Sequence, residues 1–336
     1  MSAAPAGGDQ RRGRMSFRNV PAMTPQGRPV GGGRTRAAAV SIISNSLLII
    51  LKVVAGTITG SVAILAEAMH SSVDLIASIV AFFSVRKAEE PADEDHRYGH
   101  EKVENLGAWI EGMLILVGSA VIAIEAIRRL AQDAPVDTLG LGIAVIAVSI
   151  VVNLVVAAFL RARAAATESA ALAADAAHLA TDAFTSGGVL IALVLVQITG
   201  ERWIDGVVAL LVAAFIVSAG IGILSRASRV LVDEALPAEE LEAIRESILA
   251  FGPKGVAGYH KLRTRRAGAQ RYVDLHVQFR EGTTLEAAHR TAHELQDAIG
   301  ARLRHADVLI HLEPEDSVRP GTEVPPAPEG PSGTPG

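Results

Sequence analysis

Apolar positions gather into six stretches, roughly Arg36–Thr57, Ser61–Val85, Val103–Leu130, Leu139–Leu160, Ser169–Ile198 and Ile204–Leu224. Each is close to the ~20 residues that a helix needs to cross a bilayer. The second and fifth are the most polar of the six and are expected to face the interior of a helical bundle. From Pro237 the pattern changes. Ala238–Phe251 reads as an amphipathic helix with Glu239 and Glu240 in its first turn. Gly258–Arg265 and Arg271–Phe279 read as strands, and Tyr272 to Val277 mixes apolar and polar positions with the period of two of a half-buried strand. Thr284–Leu303 reads as a helix with Thr284 as its N-cap, and Ala306–Leu312 as a third strand. The expected fold is therefore an α-helical membrane protein: six transmembrane helices over residues 34–230, then a small αββαβ domain of the α+β class over residues 231–314. Residues 1–33, basic and rich in Gly and Pro, and residues 315–336, rich in Pro and Gly, lack apolar periodicity and are expected to be disordered tails.

Composition fits this division. The chain has 336 residues, 50% hydrophobic and 20% charged, too apolar for an ordinary soluble enzyme of its size. Its net charge of -5 is modest and argues against nucleic acid as a partner. Arg11-Arg12 resembles a twin-arginine signal, but no apolar segment or cleavage site follows closely. Basic residues set the orientation. Arg34 and Arg36 precede the first span, Arg86, Lys87, Arg97 and Lys102 lie between the second and third, Arg161 and Arg163 between the fourth and fifth, and Arg226 and Arg229 after the sixth. The opposite loops hold only Arg128, Arg129 and Arg202, so both termini are expected in the cytoplasm and the protein in the cell (inner) membrane.

Within these spans one pattern occurs twice, 108 positions apart: Ala66-Glu67-Ala68-Met69-His70-Ser71-Ser72-Val73-Asp74 and Ala174-Asp175-Ala176-Ala177-His178-Leu179-Ala180-Thr181-Asp182. On a helix, His and Asp four apart share a face. Two such helices side by side would converge His70, Asp74, His178 and Asp182 on one point. Two imidazoles and two carboxylates suit a tetrahedral divalent metal, zinc above all, and the carboxylates cancel its charge. The chain has no cysteine, so any metal site must use His and carboxylates. Ionisable residues within membrane helices are costly and mark transport pathways, so the chain reads as a metal-ion transporter. Glu67 and Asp175, one turn before each His, are either an approach path or carboxylates at helix ends in water.

The six spans, the two HxxxD pairs, the Arg97-Tyr98-Gly99-His100-Glu101-Lys102-Val103-Glu104-Asn105 segment and the C-terminal domain resemble the cation diffusion facilitator family over roughly Arg34 to Pro314. The resemblance implies a homodimer in the lipid bilayer that exports divalent metal ions from the cytoplasm in exchange for protons. Histidine at both His70 and His178 resembles the zinc-transporting branch; the manganese branch typically has acids there, and the iron/zinc branch Asp at the position of His70. Arg161–Glu168 contains no histidine, so the His-rich loop of many eukaryotic members is missing, which favours a prokaryotic type. Asp93, His96 and His100 match a loop metal site of some members. His260, His276, His311 and Glu313 lie on or beside the three strands, at positions that hold metal bridging the dimer in relatives, and His289 aligns with a further ligand position, with His293 four residues on. Lys102 and Asp233 match a charged pair that joins protomers. Zn2+ is thus expected both as substrate and as a structural or sensing ion.

The leading reading is a proton-coupled Zn2+ antiporter working by alternating access. A sensor or receptor without transport, or an exporter chiefly of Cd2+, Co2+ or Fe2+, stands as the alternative. A pore needs weak multiple sites, unlike a four-ligand cage. A hydrolytic metalloenzyme needs an open coordination position and a general base, and no HExxH or serine-nucleophile motif is present.

Overall fold

The computed structural model describes residues 33–59, 62–132, 140–201 and 203–326. Six long helices come first: α1 Gly33–Thr59, α2 Val62–Ala88, α3 Lys102–Gln132, α4 Gly140–Thr167, α5 Ala170–Thr199 and α6 Trp203–Leu231. Among the described residues, five of them (α1 and α3 to α6) are long and apolar enough to cross a membrane, and α2 matches them with 27 residues. Several run past the apolar stretches that announced them, α6 to Leu231 and α4 to Thr167, because a helix continues into water once its backbone bonds are in place. Side chains such as Leu47, Val121, Val155 and Leu211 point outward around the bundle, an apolar surface that calls for hydrocarbon rather than water.

The helices pack most closely in the pairs α3 with α6, α1 with α2 and α4 with α5, and α5 also touches α2, α3 and α6. Alanines make this possible. Ala37 and Ala38 of α1, Ala157 and Ala164 of α4, and Ala171, Ala176 and Ala180 of α5 are buried together, and their small side chains let the backbones approach. A second cluster joins Ala108 and Ile115 of α3 to Ala174 of α5 and Ile216, Ile223 and Ala227 of α6. The helix α5 is defined at both ends. Ser169 caps its N-terminus by accepting from the Leu172 N–H at 3.3 Å, and Gly200 closes its C-terminus at φ 78°.

The C-terminal domain comprises α7 Ala238–Leu249, β1 Val256–Ala267, β2 Gln270–Phe279, α8 Leu285–Arg302 and β3 Ala306–Pro314. The sheet order is β1-β2-β3, with β1 and β2 antiparallel and β2 and β3 parallel across α8. Thr284 caps α8 as expected, accepting from the Ala287 N–H at 3.2 Å. Ile244, Ile248, Val273, Leu275, Val277, Leu295 and Ile299 form the core under one face of the sheet.

The expected disordered tail from Glu315 is corrected for residues 315–326. Glu315–Ser317 forms a 3-10 turn, Glu323 bridges to Gly258, and the Val324 N–H donates to the Ala257 carbonyl at 2.9 Å. Val324 is 2% exposed: one apolar side chain among prolines reaches the core, and the strand edge of β1 supplies the backbone partners. The remainder of that tail and the tail before Gly33 lie outside the described residues.

This domain is fastened to one end of the bundle. At the β1–β2 turn the Gly268 N–H donates to Asn105 Oδ1 of α3 at 3.1 Å, and Tyr272 Oη donates to the Tyr98 carbonyl at 3.0 Å. Glu168, in the α4–α5 turn at φ 52°, holds Arg266, Arg271 and Arg304 at 2.8, 3.0 and 3.4 Å. Lys102 and Asp233 form a 2.8 Å ion pair within the single chain, and that pair holds the Asp233 carboxyl below its usual range.

Candidate metal centres

Contact between α2 and α5 brings Asp74 beside His178 and Asp182. His178 Nε2 lies 3.5 Å from Asp74 Oδ1 and 3.8 Å from Asp182 Oδ2, yet neither ring nitrogen of this buried histidine makes a hydrogen bond. A histidine packed between helices for structure alone would be satisfied by a neighbour. Three atoms each about 2.1 Å from a tetrahedral zinc lie about 3.4 Å from one another, so the observed separations fit ligands around a shared ion better than bonds between ligands. His70 lies on α2 one turn before Asp74; its side chain and that of Glu67 lie outside the described residues.

Asp175 is not a helix-end carboxylate in water. It is fully buried and accepts from Ser41 Oγ of α1 at 3.1 Å and Ser78 Oγ of α2 at 3.4 Å, while Asn45 Nδ2 donates to the same Ser78 at 2.8 Å. Two cavities lie along the helices, and only the first of them reaches the cluster. One of about 140 Å³, lined by Lys52, Ser71, Ser149 and Asn153, reaches Asp74 and Asp182 from the end remote from the C-terminal domain. The other, about 900 Å³, opens between α3, α5, α6 and the β1–β2 turn, with Ala108, Ala174, Ala177 and Ile223 in its wall.

A second cluster forms in the α2–α3 loop. Asp93 accepts from the backbone N–H groups of Asp95 and His96 at 3.0 and 2.6 Å, which holds its carboxyl below the usual range. His96 Nδ1 and buried His100 Nε2 each lie 3.2 Å from an Asp93 oxygen. The third cluster is His260, His276 and Glu313. His260 and His276 are register partners across β1 and β2, and a break in register between His260 and Arg263, with Lys261 at φ 49°, bulges β1 beside His260. Glu313 Oε1 meets His276 Nδ1 at 2.5 Å, and that hydrogen bond holds its carboxyl at about 2. His260 Nε2 stands 2.8 Å from Glu313 Oε2, so the carboxylate draws both histidines together as its partners, and the three are of the residue types that ligate zinc. His311 is the register partner of His276, with ring centroids 4.6 Å apart, but is exposed and outside this tight group. His289 does not join it either: it faces His293 on exposed α8, Nε2 to Nε2 at 3.1 Å.

Sequence reasoning passed over several buried charged residues. Lys52 donates to Ser71 Oγ at 2.6 Å, Arg34 of α1 bonds Glu104 of α3 at 2.8 Å, and Glu111 of α3 lies fully buried. Lys52 and Glu111 are each the single charged residue in an apolar run, while Arg34 and Glu104 were visible only as a basic residue before the first span and as part of the loop segment.

Residues 38–232, more than half of the chain, match the family of the cation efflux transmembrane domain, and residues 236–315 match the cytoplasmic domain of cation efflux proteins. The chain belongs to the cation diffusion facilitator family. It is 37% identical over 264 residues to the uncharacterized transporter sll1263 of Synechocystis, covering 79% of this chain and 85% of that one. It is 36% identical over 280 residues to the cation-efflux pump FieF of Yersinia pestis, covering 83% of this chain and 92% of that one. A solved structure of CzrB in a zinc form aligns at 36% identity over 26% of this chain and 98% of its own, with a TM-score of 0.25. The chain is a multi-pass cation efflux transporter rather than an enzyme.

Proposed function

We propose that this cation diffusion facilitator exports Zn2+ from the cytoplasm in exchange for protons, by alternating access at His70, Asp74, His178 and Asp182. The observation that carries this reading is the buried Asp74–His178–Asp182 cluster, whose imidazole has no hydrogen-bond partner and whose carboxylates sit at ligand spacing. Histidine in both copies of the motif supports zinc over harder ions. Protons and zinc compete for the same imidazoles and carboxylates, so a site opening in turn to each side exchanges one for the other. The small cavity at Asp74 and Asp182 supports access to the cluster from the end remote from the C-terminal domain. Arg86, Lys87, Arg161 and Arg226, near the helix ends that meet the C-terminal domain, support a cytoplasmic position for both termini in an inner membrane.

The loop and C-terminal clusters are proposed as additional metal sites, the latter with His260, His276 and Glu313 as its ligands, His311 beside them and His289 apart. A homodimer with the C-terminal domains adjoining is the proposed assembly. In it, metal on the third cluster would be sensed through the contacts of the β1–β2 turn with α3 and of Glu168 with three arginines. The test is metal flux into proteoliposomes under an imposed proton gradient. Zinc uptake should follow the gradient and collapse with a protonophore, and cadmium, cobalt and iron(II) run side by side give the selectivity. Metal binding without flux would instead favour a sensor.

A further inference from the structure

Lys52 stands where a membrane helix tolerates charge least. It is the one charged residue between Arg36 and Glu67. The helix α1 turns it inward: Leu51, Val53 and Val54 beside it are exposed on the outside of the bundle, whereas Lys52 is 3% exposed. Inside, Nζ donates to Ser71 Oγ of α2 at 2.6 Å. Ser71 follows His70 directly and precedes Asp74 by three residues, so Ser71 and Asp74 share a helix face with Cβ atoms about 5–6 Å apart. Lys52, Ser71, Asp74 and Asp182 line one cavity of about 140 Å³. The ammonium is thus anchored about one helical turn from a carboxylate of the transport cluster, in the same small space.

A hydrogen bond to Ser71 does not call for a charge. A neutral amide would donate to the same hydroxyl without placing an ion in a membrane helix. What the charge alters is the electrostatics of the cavity. Two carboxylates and one ammonium line it, a net single negative charge. Zn2+ bound at Asp74, His178 and Asp182 turns that into a net single positive charge, where little water screens it. Without Lys52 the loaded cage would be neutral and would hold its ion as a structural zinc site does, whereas transport needs a site that fills and also empties. The cavity fixes the side as well, because it reaches the cluster from the end remote from the C-terminal domain, the outer side in the proposed orientation. Asn153 of α4 also lines it with a buried Oδ1 that has no hydrogen-bond partner, which offers the flexible lysine a further acceptor. We infer that Lys52 sets the affinity of the transport site: its fixed positive charge, at the outer end of the cavity, opposes the bound metal ion and promotes its release on that side. The inference rests on the exporter reading.

The full-length chain tests this through three substitutions. In detergent, Lys52→Gln should bind zinc about tenfold more tightly by calorimetry, with the number of ions per chain unchanged. Lys52→Met, an apolar chain that suits a membrane helix, should do the same and serves where the amide disturbs folding, with the gel-filtration profile as the check. Lys52→Arg keeps the charge and should stay within about threefold of the parent. In proteoliposomes, the neutral variants should lower KM and the maximal rate together, and zinc preloaded in the lumen should halve their uptake at about a tenfold lower concentration than in the parent. A merely structural lysine would give weaker binding or none of these shifts. Zinc binding unchanged or weakened in both neutral variants would overturn the inference. So would Lys52→Arg behaving as they do, since the charge would then not be the cause, and so would tighter binding with lumenal inhibition at the parental concentration. Absence of flux in the parent would defeat the exporter reading, while calorimetry would still decide whether Lys52 weakens the site.

Discussion

Asp182→Asn isolates the charge at the transport cluster from its shape. The carboxylate Oδ2 stands 3.8 Å from His178 Nε2, and the side chain is 16% exposed, so little water is at hand to replace it. Two unit charges about 4 Å apart interact by about 4 kcal/mol at an effective dielectric of about 20, and a divalent ion doubles that figure before desolvation offsets it. Removing one partner of a buried charge pair costs about 3–5 kcal/mol in practice. Each 1.4 kcal/mol is about tenfold in affinity, so zinc binding at this cluster should weaken by about 10² to 10³-fold or somewhat more. The amide keeps the volume, and the α4–α5 packing through Leu172, Ala176 and Leu179 does not involve Asp182, so the fold should persist. Asp74→Asn should behave alike, since its Oδ1 stands at 3.5 Å from the same nitrogen. The assay is zinc flux in proteoliposomes with and without an opposing proton gradient, alongside calorimetric binding. Transport at the parental rate by either variant, or parental flux indifferent to the gradient, would refute the reasoning.

Other outcomes follow from the same structure. His70→Asp should shift transport toward manganese and iron(II), because oxygen ligands suit harder ions, and an unchanged zinc-to-manganese uptake ratio would count against a role for His70 in selectivity. His276→Ala combined with His311→Ala should lower bound metal per chain and loosen the C-terminal domains, with transport reduced but not abolished; metal analysis and a distance probe between the domains check it. Glu240 forms two bonds to the buried Arg271 guanidinium, at 2.7 and 2.8 Å, and the first effect of that pairing is to hold the Glu240 carboxyl below its usual value. Its contribution is therefore present above the unfolded glutamate value of about 4.3 and is lost as pH falls through the lower folded value. Glu240→Gln should destabilise the C-terminal domain by about 2 kcal/mol at neutral pH, and the gap from the parent should close in acid, as thermal unfolding at several pH values would record.

The sequence by itself determined the parts whose causes are local. Six apolar stretches of bilayer length forecast six helices, because the cost of exposing backbone or charge to hydrocarbon is met residue by residue along the chain. The spacing of His178 and Asp182 put both on one face, because 3.6 residues make a turn whatever lies beyond. The order of α7, β1, β2, α8 and β3 and the cap at Thr284 were legible for the same reason. Tertiary structure alone decided which residues meet. Among the histidines of the C-terminal domain, His260 and His276 join Glu313 while His311 stays exposed. Strand register and the bulge after His260 select among them, and no single strand encodes its partner's register. Val324 looked like part of a proline-rich tail until the edge of β1 offered it backbone partners and the core offered it cover. Glu111 was one acid in an apolar run, indistinguishable from a charge at a helix surface. Only the packing of α3 on α5 and α6 sealed it from water, because burial belongs to the assembled bundle and not to any one helix.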